Sequence, residues 1–182
     1  MMKQFQISKS KQIALCALLC ATGVVFMLIG SIIPLATFCC PAIVMLLLIP
    51  AARECGTGTG FALYFATAFL SALLVPDKEI AMLYIFIGYY PLVKTYIDKI
   101  KFRVIRICVK FLLFNTAIAV MYGLAIFLLQ MEALVAEYQQ ATVWILIALC
   151  VMGNFAFALY DILINRFCII YNSKIRKRFF KE

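Results

Sequence analysis

Residues 13–52 contain no charged side chain. As one helix they would run about 60 Å, twice the thickness of a bilayer's hydrocarbon core. A soluble chain of this size has no interior deep enough to hide such a run, and 66% of its 182 residues are hydrophobic against 14% charged. Lipid is therefore the solvent this sequence calls for, and the run must cross it twice. Ser31, Pro34 and Pro41 mark the reversal, giving spans over 13–33 and 41–53.

The remaining chain divides by the same logic. Arg53 and Glu54 end the second span, and Gly56, Gly58 and Gly60 make the turn. A third span over 61–75 stops at Pro76. The fourth, 80–97, contains Gly88 and Pro91; Pro91 predicts a kink because it removes a backbone donor and crowds the preceding turn. The fifth covers 104–130, an acidic connection with Glu132 and Glu137 follows, and the sixth covers 142–164, with a continuation as an interfacial helix open to it in the basic tail over 165–182. The whole chain, 1–182, reads as a single all-α membrane domain: a polytopic bundle of six transmembrane helices.

Charge sets the orientation. Lys and Arg beside a span are retained on the cytoplasmic side. With both termini cytoplasmic, six spans place sixteen of the seventeen cations inside and leave only Lys78 outside. Five spans would move Lys94, Lys99, Lys101, Arg103, Arg106 and Lys110 outside, against the rule. The net charge of +9 would suggest nucleic acid in a soluble protein. Here the cations sit beside apolar runs, so the expected partner is membrane lipid and no nucleic acid. The tail, with five cations around Phe179 and Phe180, suits a headgroup layer or simple topological retention.

The chain has no histidine, which removes a haem axial His, an HExxH zinc protease and a Ser-His pair together. Its eight cysteines form no CxxC pair and mostly lie in apolar runs as small hydrophobes, so no metal and no cofactor is expected. Ser71 lacks a nucleophile's setting, and neither Asp161 nor Glu54 has a neighbouring acid in sequence. Catalysis is not expected.

Polar residues at membrane depth face the bundle interior or a cavity. Asn115 and Asn154 lie at similar depth in spans five and six, where they can bond each other or line a binding site. Asp161 sits near the inner interface, within reach of Arg166 or Lys110. Toward the outer face gather Asp77, Lys78, Glu79, Tyr84, Tyr122 and Trp144. Singly, the rings are interface anchors; together with the acids they outline a pocket for a neutral or cationic small molecule. Span one carries Ala17 and Ala21, four apart, with Ala14 one turn earlier, a spacing that lets another helix approach closely.

Six short spans, both ends inside, a long first outer loop and the Ala17-x-x-x-Ala21 face together resemble the substrate-binding (S) component of energy-coupling factor transporters. The resemblance implies high-affinity binding of a vitamin or precursor for ATP-driven uptake. Ala17 and Ala21 would then dock on a transmembrane coupling subunit served by two ATPases, and Asp77, Lys78, Glu79, Tyr84, Tyr122 and Trp144 would contact the small-molecule ligand. The His-dependent metal site of the nickel and cobalt members has no counterpart here, and no Gly-x-x-x-x-Gly-Lys-Ser/Thr motif supplies an ATPase within the chain. The alternative from another class is a non-transporting membrane scaffold or assembly protein with a basic cytoplasmic face.

Overall fold

A computed structural model describes residues 9–33, 36–127 and 143–175. The described residues are almost entirely helical: α1 (Lys9–Gly30), α2 (Cys39–Glu54), α3 (Thr57–Leu74), α4 (Lys78–Ile87), α5 (Tyr90–Ile97), α6 (Arg103–Phe127) and α7 (Val143–Ile170), closed by a π-helical turn, Tyr171–Ile175. Taking α4 and α5 as one broken span, five segments are long and apolar enough to cross a membrane. The second of the six expected spans, α2, has 16 residues, about 24 Å of helix, which is short of a full crossing.

That short helix is the centre of the bundle. Its sequence is apolar all round, with Cys40, Val44, Leu48 and Ala51 on one side and Met45, Leu46 and Ile49 on others, all buried. A helix without a polar face finds its place where neighbours cover most of it, and here Ile43 is the large side chain left 44% exposed. It packs against α1, α3, α4, α5 and α7. Two glycines on α1 set the approach distance: a Cβ on Gly23 would stand 2.8 Å from Val44 Cγ1, and one on Gly30 would stand 2.8 Å from Cys40 Cβ.

α3 follows after only Cys55 and Gly56, the latter at φ 95°, a left-handed conformation that a side chain would strain. Gly60, Leu63, Tyr64, Thr67, Ala68 and Ser71 are its buried residues, at the spacing of one helix face. The opposite face turns Phe65, Phe69 and Leu73 outward. Asp77 then caps α4, its Oδ1 accepting from the Glu79 amide at 2.9 Å. Lys78 reaches back so that its Nζ donates to the carbonyls of Ala72 and Val75, each at 3.1 Å, which satisfies the C-terminal end of α3.

The fourth span breaks where proline chemistry puts it. α4 ends at Ile87, Gly88 and Tyr89 make the joint, and Pro91 occupies the first turn of a new helix, where its missing N–H costs nothing. The joint keeps Gly88 N–H on the Tyr84 carbonyl at 2.7 Å. The sequence predicts a kink in one helix; the structure has two helices, because Pro91 starts one as readily as it bends one. Across Lys78–Ile97, 67% of the apolar stretch is buried, against 6% for the last helix, so the broken span is interior and α7 peripheral. α7 continues past the end of the sixth span at residue 164 to Ile170, in the direction of the continuation into the tail. The outward surface, with Leu18, Phe65, Leu112, Val151 and Phe155 exposed, is one that water covers only at a penalty.

Candidate functional site

The break at Gly88–Tyr89 aims α5. Tyr90 and Lys94 are four residues apart, one turn of the same face, and both side chains are buried, Lys94 to 3% exposure. Opposite them stands Asp161 of α7. Tyr90 Oη donates to Asp161 Oδ1 at 2.6 Å, and Lys94 Nζ pairs with that same oxygen and donates to the Asp161 carbonyl at 2.9 Å. Lys110 of α6 completes the group, 3.2 Å from both Asp161 carboxylate oxygens and 2.7 Å from Asp98 Oδ1 at the end of α5. Two ammonium groups and two carboxylates thus meet where three helices converge. Burying a charge in a membrane protein is tolerated when it is paired and hydrogen-bonded, and each member here has at least one partner of opposite sign.

One turn along α7, Phe157 closes the group off. Its ring stacks on Phe114 at 4.4 Å between centroids and meets Tyr90 edge-on at 4.8 Å. Beyond that layer Asn115 and Asn154 bond reciprocally, Asn115 Nδ2 to Asn154 Oδ1 at 2.8 Å and Asn154 Nδ2 to Asn115 Oδ1 at 3.1 Å. Each amide also donates to the carbonyl one turn back on its own helix, at 2.8 Å. The expected Asn115–Asn154 contact is therefore formed, and as a saturated helix–helix bond. Of the two cations expected near Asp161, Lys110 makes the contact; Arg166 forms no ion pair among the described residues.

Beside the charged group a cavity of about 650 Å³ opens between α6 and α7. Its walls carry Arg103, Arg106 and Lys110 on one side and Asp161 and Asn165 on the other, with Asp98 at the end of α5.

At the opposite end of the bundle the residues expected to face outward come together in part. Tyr122 Oη donates to Glu79 Oε1 at 3.0 Å, joining α6 to the start of α4. Asp77 and Lys78 are occupied as helix caps. Tyr84 is fully buried under Tyr64, ring centroids 5.8 Å apart, and its hydroxyl faces Thr67 without a hydrogen bond of good geometry. The Thr67 hydroxyl is already directed to the Leu63 carbonyl and the Cys20 sulfur. Trp144 stands 78% exposed. The acidic connection, with Glu132 and Glu137, lies outside the described residues, as does Pro34 of the first outer connection. Ala14, Ala17 and Ala21 are exposed on α1, while Cys20, Gly23, Val24 and Met27 face the bundle.

Sequence reading undercounts Lys94 and Tyr90. Lys94 looks like one more cation marking the cytoplasmic end of a span. Its position among Leu92, Val93 and Ile97, four residues before Asp98, is the signal that sets it apart from the exposed cations that follow.

The class these observations define is an all-helical protein of the membrane-spanning type, with a paired charge group enclosed by its last three spans. No family model matches the chain, and no curated protein or solved structure does.

Proposed function

We propose that this chain is the membrane-embedded capture component of a multi-subunit uptake system in a bacterial-type cell membrane. On this reading it has six spans with both termini cytoplasmic, and it binds a small neutral or cationic nutrient, a vitamin or precursor. It passes the nutrient to an energy-coupling transmembrane subunit with two ATPases. The observation that carries the reading is the direction of the small-residue stripe: Ala14, Ala17 and Ala21 point away from the bundle. A stripe that served internal packing would face α2 and α3, as Gly23 does. The positive-inside distribution of the cations and the Glu79–Tyr122 contact, at the end opposite the cations, agree with it.

The test is Ala17→Leu together with Ala21→Leu in the full chain expressed in its native membrane. The expected outcome is loss of co-purifying ATPase subunits with no loss of stability, since both positions are exposed. If no ATPase accompanies the parent protein, the reading fails. A second reading, a non-transporting scaffold, is favoured by the structural employment of Asp77, Lys78 and Glu79 in caps and a helix contact. Glu79→Gln separates the two: a scaffold loses only a fraction of its stability, whereas a capture protein also loses a small molecule that co-purifies with it.

A further inference from the structure

The charge balance of the inner cavity is uneven in a way that its internal pairs do not absorb. Lys94, Lys110, Asp98 and Asp161 cancel among themselves. Arg103 and Arg106 line the same cavity, and neither guanidinium joins an ion pair among the described residues. Arg103, Arg106 and Lys110 stand at i, i+3 and i+7, so one face of α6 presents all three to the same space. Two unpaired guanidinium forks at the mouth of a cavity match the geometry of a tetrahedral oxyanion, which accepts two parallel N–H bonds from each fork. Asn165 of α7 adds a neutral amide on the facing wall, and the first turn of α6 contributes the positive end of its helix dipole.

We infer that this cavity binds one terminal phosphate, as a phosphate monoester carries it, in preference to the phosphodiester of a zwitterionic headgroup. The opening lies between two helices with exposed apolar flanks, and Ile107 and Ile162 of its lining are 45% and 55% exposed. A phospholipid headgroup can enter sideways while its acyl chains lie along α6 and α7. A free phosphate monoester would enter from the aqueous side. The shared chemistry is the phosphate oxyanion, and the position is independent of the α1 stripe and of the uptake reading.

The experiment uses the full chain purified in a nonionic detergent, probed in parallel with dihexanoyl phosphatidic acid, dihexanoyl phosphatidylcholine and inorganic phosphate. Binding is read by native mass spectrometry and by thermal shift. One bound phosphatidic acid per chain identifies a lipid headgroup; saturation by inorganic phosphate with no lipid preference identifies a free phosphate. Either supports the site, provided that Arg103→Gln with Arg106→Gln weakens it about thirtyfold. The charge-matched control is Lys99→Gln with Lys101→Gln, which removes two neighbouring cations that do not line the cavity and should leave binding within about twofold of the parent. Equal loss in both variants means diffuse attraction and overturns the inference. So does equal binding of the zwitterionic lipid, or no saturable binding of any probe.

Discussion

Replacing Asp161 with leucine should be among the most damaging single changes in this protein, and its cost should fall when Lys94 is removed as well. Asp161 receives four bonds from three side chains: Tyr90, Lys94 and, at both oxygens, Lys110. Without the carboxylate, Lys110 keeps Asp98 at 2.7 Å. Lys94 keeps the backbone carbonyl at 2.9 Å and the Tyr90 ring at 6.0 Å, and at 3% exposure it has no water to turn to. Orphaning one member of a buried ion pair costs about 3–5 kcal/mol. Because Asp161 is 21% exposed and Lys94 retains one acceptor, the lower end applies, about 3 kcal/mol, with about 1 kcal/mol more for the stranded Tyr90 hydroxyl. Lys94→Met alone should cost less, about 1–2 kcal/mol, since Asp161 keeps Lys110 and Tyr90. The double variant Lys94→Met with Asp161→Leu should recover about 2 kcal/mol relative to Asp161→Leu, because no unpaired charge remains. Equilibrium unfolding in mixed micelles, followed by far-UV circular dichroism, reads all three. If the double variant is less stable than Asp161→Leu, the charge group is not held together by mutual compensation and the reasoning is refuted.

Gly88→Ala should destabilise by about 2–3 kcal/mol in the same assay, since a Cβ there would lie 2.3 Å from the Tyr84 carbonyl oxygen and 3.1 Å from the Tyr64 ring; parent-like stability would mean the joint has room to open. Asn115→Leu and Asn154→Leu should each cost about 1 kcal/mol, and the double variant less than their sum, because the two amides bond each other; simple additivity would contradict the reciprocal contact. Burial pushes the Cys55 thiol, in the turn between α2 and α3, up to about 11, with Cys16 and Glu54 adding to the effect. The reactive thiolate is therefore scarce at neutral pH, and Cys55 alkylation, followed by peptide mass spectrometry, should rise about tenfold per pH unit between 7 and 10. A plateau below pH 9 would show the thiol is not held in its neutral form.

The local rules of the chain were legible without tertiary information. An uncharged stretch twice the thickness of the hydrocarbon core, prolines at its middle and glycines at its end dictate helices of a given length and their reversals, and the described helices fall within a few residues of those spans except at the end of α7. The Asn115–Asn154 bond follows from matching depth on neighbouring spans. Lys78 illustrates the limit: its charge reads as an outer-surface feature, yet its side chain closes the end of α3, because a carbonyl left open by the turn at Val75–Pro76 happens to be within reach.

What the sequence by itself determined is the solvent, the helical register and the end of each helix at which cations accumulate, because these depend on hydropathy and backbone chemistry that act over a few residues. Only the tertiary structure decided that α2 sits at the centre, that Pro91 begins a helix aimed at α7, and that Lys94, Lys110, Asp98 and Asp161 share one enclosure. Those residues are up to 67 positions apart. Whether a lysine near a span end faces headgroups or a carboxylate is settled by which helix lies across from it, and no local pattern encodes the neighbour.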